Sequence, residues 1–399
     1  MTYPTGPGSV PVERPAARPP ARPADDEADC YLDCASAEPL HPAARETLLA
    51  CLEQGYADPA RLHGPGRNAR LLLDNAREVV AAGLGLRADE VSFTGSGTQA
   101  VHLGVLGLLL GRARVSRRLV HSAVEHSSVF AAASWWAANH GGTTDVVGVD
   151  SLARIFPSAV AAALAEPTGV LALQSANLEV GTTQPVSEVA AVAAEHDVPV
   201  FTDAAASAGR LELPTGWSAA AASAHKWGGP AGVGLLLVRK GARWRPPFPT
   251  DDRIDPRVAG FENVPGALAS AAALQAVVAS REEVAARQRA LVDRLRARVA
   301  AEVPDVDVVG DPVDRLPHVV TFSCLYVEGE ALVRELDRRG FGVSSGSACS
   351  ASTLTPSHVL EAMGALTHGN VRVSVGRDTT QADVDAFLDA LPPVVASLR

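Results

Sequence analysis

The stretch SAAAASAHKWGGPAGVG, residues 218–234, sets Lys226 between a run of tiny residues and a glycine-rich turn. Lysine is rarely buried without a reason, and a desolvated amine has a lowered pKa and becomes a nucleophile for Schiff-base chemistry. A surface lysine in a turn is the plainer alternative. Upstream, Asp203 closes the apolar run in VFTDAAASAG, where an unpaired buried carboxylate is costly and calls for a cationic partner, unless it only caps the next helix. VSFTGSGTQA turns from a β-rich run into a helix through small and hydroxyl residues. Gly97 and Thr98 would there offer N–H groups and a positive dipole end to an anion, though such turns also simply cap helices. An anion-binding helix start, a carboxylate and a lysine on successive strand ends together suggest pyridoxal phosphate, whose pyridinium nitrogen takes a carboxylate partner.

Three further residues have chemistry available. His126 in VHSAVEHSSVF and Asn177 in LQSANLEVG each follow a strand-like run, where a cap or a satisfied polar contact is the commoner role. Arg372 alternates with valines in NVRVSVGR, so it points to one face of a strand and suits either a salt bridge or a bidentate grip on a substrate carboxylate. Cys349 sits in SSGSACSAS, a soft Gly/Ser-rich loop. It is either an incidental small residue or a thiol on a movable arm.

Positioning these residues takes an alternation of strands and helices. From about residue 85, short β-rich runs (VSFTG, RLVHSAV, TTDVVGVD, GVLALQSA, VPVFTDAA, SAAAASAH, GVGLLLVRK) alternate with Ala/Leu/Val helical runs. This predicts an α/β domain with a mostly parallel sheet flanked by helices, chemistry gathering at the carboxyl ends of its strands. Ser187 reads as the N-cap of SEVAAVAAEHD. A long helix over 266–303 leads to a smaller α+β C-terminal domain. The expected division is a disordered Pro/Ala/Arg-rich tail over 1–28, a segment over 29–60 packing with the small domain, a large domain over 61–265, and the helix and small domain over 266–399. The apolar run VHLGVLGLLLG, 101–111, is too short to span a bilayer and reads as a buried helix.

Of the 399 residues, 47% are hydrophobic and 20% charged, ample for a large core. A formal net charge of -10 argues against nucleic acid or an anionic membrane as main partner. Five cysteines without a C-x-x-C pair indicate neither a disulfide framework nor a zinc site, which fits reduced thiols in a cytoplasm. The N-terminus shows no apolar signal-peptide core, and no internal repeat stands out.

The motifs FTGSGTQA, VEHSSV, ANLEVGTTQ, TDAAASAG, SAHKWGGPAGVG, SSGSACSASTLTPSHVLEAMG and VRVSVGR resemble in order and spacing those of the cysteine desulfurases, in the class V aminotransferase group of fold-type I pyridoxal-phosphate enzymes. The resemblance runs from residue 31 to about 390. It implies that Lys226 carries the cofactor as a Schiff base, Asp203 holds the pyridinium nitrogen, and His126 stacks on the ring and assists proton transfer. It also implies that Gly97, Thr98, Ser223 and His225 bind the phosphate, Asn177 lies beside the ring, Arg372 holds the substrate carboxylate and Cys349 is the nucleophile. L-cysteine would become L-alanine, with sulfur held on Cys349 as a persulfide for an acceptor protein, in a homodimer.

Three features depart from that pattern. Ala206 stands where a glutamine is usual, Phe261 where a threonine normally reaches the neighbouring subunit's phosphate, and the chain stops soon after its last helix. They leave room for a specialised sulfur donor, for a C–S or selenocysteine lyase not requiring Cys349, or for a non-catalytic binding or scaffold protein.

Overall fold

The computed structural model describes residues 30–251, 253–345 and 356–399. The expected tail over 1–28 lies outside the described residues. The chain opens with β1 (Cys30–Tyr31), α1 (Pro42–Gln54) and α2 (Gly64–Leu84). The alternation then gives β2 (Val91–Thr94), α3 (Gly97–Arg112), β3 (Arg118–Ser122), α4 (Ser127–His140), β4 (Thr143–Val147), α5 (Pro157–Ala163), β5 (Val170–Ala172), α6 (Val186–Glu195), β6 (Val200–Asp203), β7 (Ala219–Ser223) and β8 (Gly234–Val238).

These strands form a seven-stranded sheet in the order β2-β8-β7-β6-β5-β3-β4. β8 runs antiparallel to both its neighbours and the other pairings are parallel. β2 is therefore parallel to β7, so the carboxyl ends of β2, β3, β5, β6 and β7 share one edge. Strands covered on both faces read as continuous apolar runs. β7 illustrates this, its Ala219–Ser223 stretch being buried throughout. One layer packs α3 and α4 on the sheet around Leu106, Trp136 and Phe201, and the opposite layer packs α2, α6 and α7 (Val264–Ala279). A Cβ on Gly104 of α3 would come within 2.3 Å of the Phe201 ring, so a side-chain-free residue lets this helix lie close on the sheet. The apolar run over 101–111 is this buried helix.

The connecting region is two helices rather than one. α7 ends at Ser280, whose backbone leaves helical geometry and whose hydroxyl donates to Ala276 O, and α8 (Arg281–Glu302) begins anew. The smaller unit follows with β9 (Val306–Val309), β10 (Val319–Cys324), α9 (Gly329–Arg338), β11 (Phe341–Gly342), α10 (His358–Ala362), β12 (Asn370–Ser374) and α11 (Gln381–Leu398). Its antiparallel sheet has the order β12-β10-β9, and its core joins Val320, Phe322, Leu332, Phe387 and Leu391.

The N-terminal segment divides between the two units. β1 pairs in parallel with β11 and Asp33 bridges to Ser374, which ties this stretch to the small unit. The helix expected to follow it there, α1, instead lies on α7 with Ala44 and Leu48 in the core of the large unit. Ser187 is not an N-cap: α6 starts at Val186, and the Ser187 hydroxyl accepts from Thr215 N at 2.9 Å. Among the described residues no helix is long and apolar enough to cross a membrane.

Candidate active site

The shared edge of strand ends borders a cleft of about 800 Å³ lined by Gly97, Thr98, His126, Gln174, Asp203, Ala206, Ser223, His225 and Lys226, among others. They arrive at the ends of five strands, β2, β3, β5, β6 and β7. β2 leads through Ser96, whose hydroxyl caps α3 by accepting from Gln99 N at 3.1 Å. The N–H groups of Gly97 and Thr98 then stand in the first turn, where no intrahelical acceptor exists. β7 delivers Ser223 and His225, whose Oγ and Nδ1 are 3.0 Å apart. Burial and the charge of Lys226 push the His225 imidazole down to about 4, so it is neutral near pH 7.

β6 ends at Asp203, 7% exposed, whose Oδ1 accepts from Ala205 N at 2.9 Å. Burial raises its pKa, while His126, the Ala205 N–H and Lys226 oppose that rise. β3 leads to His126, the N-cap of α4, whose Nδ1 accepts from Ser128 N at 3.2 Å. Lys226 extends its Nζ to the carbonyls of Ala35 and Ser36 at 2.6 and 3.0 Å.

Asn177 is buried behind the cleft wall, between Ala176 and Leu178, which do line it. Its Oδ1 accepts from Glu179 N and Val180 N, and its Nδ2 donates to Val124 O at 3.1 Å. Arg372 on β12 is 2% exposed and donates through Nη2 to Asp33 Oδ1 at 2.8 Å and Ser36 Oγ at 2.6 Å. Ser36 thus meets Lys226 through its carbonyl and Arg372 through its hydroxyl. Cys349 lies outside the described residues. Ala206 presents only a methyl to the cleft. Phe261 borders a neighbouring cleft that shares Gly232 and Val233 with the first, and is 59% exposed with Arg253 over its ring at 4.8 Å.

The Aminotransferase class-V family model matches residues 30–387. The chain belongs to the class-V aminotransferase family. Within that family it is 37% identical to an IscS-like cysteine desulfurase of Mycobacterium tuberculosis, over 92% of this chain and 96% of the relative. It is 32% identical to cysteine desulfurase IscS of Dictyoglomus turgidum, over 92% and 94%. A solved NifS-like protein superposes with a TM-score of 0.85 at 26% identity, covering 92% of this chain and 99% of that one. The chain thus belongs to the cysteine desulfurase branch of that family, whose cofactor is pyridoxal phosphate.

What this cleft offers suits that cofactor. A Cβ on Gly97 would come within 2.7 Å of Ser223 Cβ, so these two residues form a close cradle at a helix N-terminus, the kind of place a phosphate occupies. The buried Asp203 suits a cationic ring nitrogen. Sequence reasoning had passed over Ser96, although a serine just before a helix is a recognisable cap. It also missed Gln174, at the end of an apolar run beside residues it did single out. The carbonyls of Ala35 and Ser36 carry no sequence signal at all.

Proposed function

We propose that this chain is a pyridoxal-phosphate-dependent cysteine desulfurase that converts L-cysteine to L-alanine and passes the sulfur to Cys349 for delivery to an acceptor protein. The observation that carries the reading is the convergence of Lys226, Asp203, His126 and the Gly97–Ser223 cradle on one cleft. When bound, the cofactor supplies an electron sink for charge developing on the substrate carbon. Gly97, Thr98, Ser223 and His225 would hold its phosphate, Asp203 its ring nitrogen and His126 its ring.

Arg372 fixes the substrate carboxylate, and its buried surroundings make that charge pairing strong. Lys226 Nζ would take the Cα proton and later return one. The Cys349 thiolate attacks the substrate sulfur. The substrate C–S bond breaks, an S–S bond forms on Cys349, and the thiol hydrogen ends on the methyl group of alanine. The step balances without an outside oxidant.

A homodimer is part of this reading, supported by the exposed apolar residues Leu52, Tyr56, Leu62, Leu71 and Phe261 on and beside α1, α2 and α7. Cys30, Cys34, Cys51 and Cys324 are unbridged, which supports a reducing, cytoplasmic setting. The test is alanine formation from L-cysteine by wild type, Cys349→Ala and a Lys226→Ala control. A yellow wild type that makes alanine, a Cys349→Ala protein that makes none and a colourless Lys226→Ala protein support the proposal. Equal alanine from wild type and Cys349→Ala would overturn the persulfide step in favour of a lyase.

A further inference from the structure

Glu125 immediately precedes His126 yet does not line the cleft, and is 1% exposed. Its Oε1 accepts from Ser122 Oγ at 2.5 Å, on the last residue of β3, and from Gln174 N at 2.9 Å, just beyond β5. The same turn is tied to β5 twice more, because the side-chain amides of Gln174 and Asn177 both donate to Val124 O. Its backbone carbonyl accepts from His358 Nε2 at 3.0 Å, from α10. The turn then becomes the N-cap of α4 at His126. The carboxyl of Glu125 is therefore the clasp from which the His126 imidazole projects.

We propose that Glu125 is a positioning residue for this reaction: its carboxyl joins the ends of β3 and β5 and thereby sets His126 over the cleft. The inference rests on the cleft being a pyridoxal-phosphate site. Its protonation follows from its neighbours. Its Oε2 is buried without a partner among the described residues, and the charged or titratable groups facing it are Asp203 from β6, His126 from its own turn and His358 from α10. Two buried carboxyls cannot both be ionised cheaply. Asp203 has Lys226 as well as His126 to stabilise its charge, so the proton resides on Glu125. Burial, reinforced by Asp203, pushes Glu125 up to about 8. Above that pH the clasp becomes a second buried anion with an unsatisfied oxygen.

The experiment uses the cofactor-loaded protein and follows the visible absorption of bound pyridoxal phosphate from pH 6 to 10, with kcat and KM for alanine formation alongside. Wild type is expected to show a break near pH 8 that is absent in Glu125→Gln, which should otherwise keep the wild-type spectrum at neutral pH. Ser122→Ala removes a hydrogen bond that favours the ionised form, so its break should move to higher pH. Glu125→Ala should lower kcat by about ten- to a hundredfold, the scale of a slightly displaced catalytic group, with KM unchanged.

Retention of the break in Glu125→Gln overturns the inference, as does wild-type kcat in Glu125→Ala. Should Glu125→Ala fail to fold, the Gln and Ser122→Ala titrations decide the matter. A wild type that stays colourless with pyridoxal phosphate overturns the cofactor reading and this inference with it. A yellow protein that makes no alanine overturns only the proposed reaction, and the spectral titration still judges Glu125.

Discussion

Asp203 and Glu125 are two acids in one buried neighbourhood, and their surroundings push them to different tasks. Asp203 has Lys226 as well as His126 beside it, so it is the group suited to bear charge at the cleft. Asp203→Asn should lower alanine formation roughly 10²- to 10³-fold, the scale on which a fixed group at a reaction centre acts. Single-turnover alanine assays would check this, and a near-normal rate would remove Asp203 from the cofactor's ring nitrogen. His225 makes a second prediction at this scale. Its folded pKa, about 4, lies below the ordinary 6.5 because burial and Lys226 disfavour its charge. Such a group contributes stability above its unfolded pKa and loses it as pH falls through the folded value. Urea unfolding of the cofactor-free protein should therefore show wild type losing more stability between pH 7 and 4.5 than His225→Gln does. Equal losses would mean that His225 titrates normally.

The element that matters most to the site is α3, which couples the sheet to the anion cradle at its N-terminus. Gly104 lets the helix settle onto Phe201, and Gly97 lets its first turn approach Ser223. Gly97→Ala inserts a methyl where 2.7 Å separates it from Ser223 Cβ, and overpacking of this kind costs about 1–3 kcal/mol. If that strain falls on the cradle, pyridoxal-phosphate affinity should weaken by about ten- to a hundredfold. An absorbance titration with the cofactor would measure it, and unchanged affinity would place the phosphate elsewhere. The sequence marked this element through Gly97 and Thr98 in a turn of small and hydroxyl residues, followed by the apolar run over 101–111 that reads as a buried helix. The break at Ser280 was not legible, because residues on both sides of it are strong helix formers. What ends α7 is a backbone geometry that its packing permits, and propensity does not describe that.

At the scale of the whole molecule, the two units meet around a buried ion pair. Arg210 Nη2 donates to Glu38 Oε2 at 2.7 Å and to Lys226 O at 2.9 Å, while Glu38 Oε1 accepts from Arg377 N at 3.1 Å in the small unit. The side chains of Arg210 and Glu38 are 9% and 5% exposed. Glu38→Ala strands Arg210 without its partner behind Lys226, a change that typically costs about 3–5 kcal/mol. Chemical denaturation should show that loss, and a cost under about 1 kcal/mol would mean that Arg210 finds water or another acceptor.

Lys226, Asp203, His126, Gly97 and Thr98 were each readable as residues at the ends of apolar runs, because the rule that strand ends gather chemistry is local and β–α alternation is written in composition. Sequence alone thus determined the α/β class and pointed to Lys226, Asp203, His126, Gly97, Thr98, Ser223 and His225, which line the cleft, but not to Gln174. Tertiary structure decided what holds them: that Ser36 meets both Lys226 and Arg372, that Glu38 closes on Arg210 and Arg377, that α1 packs on α7, and that Glu125 clasps β3 to β5. Those partners lie far apart along the chain or meet across neighbouring strands. Which of them pair depends on how sheets and helices stack to bury apolar surface, and that is a property of the whole packed chain.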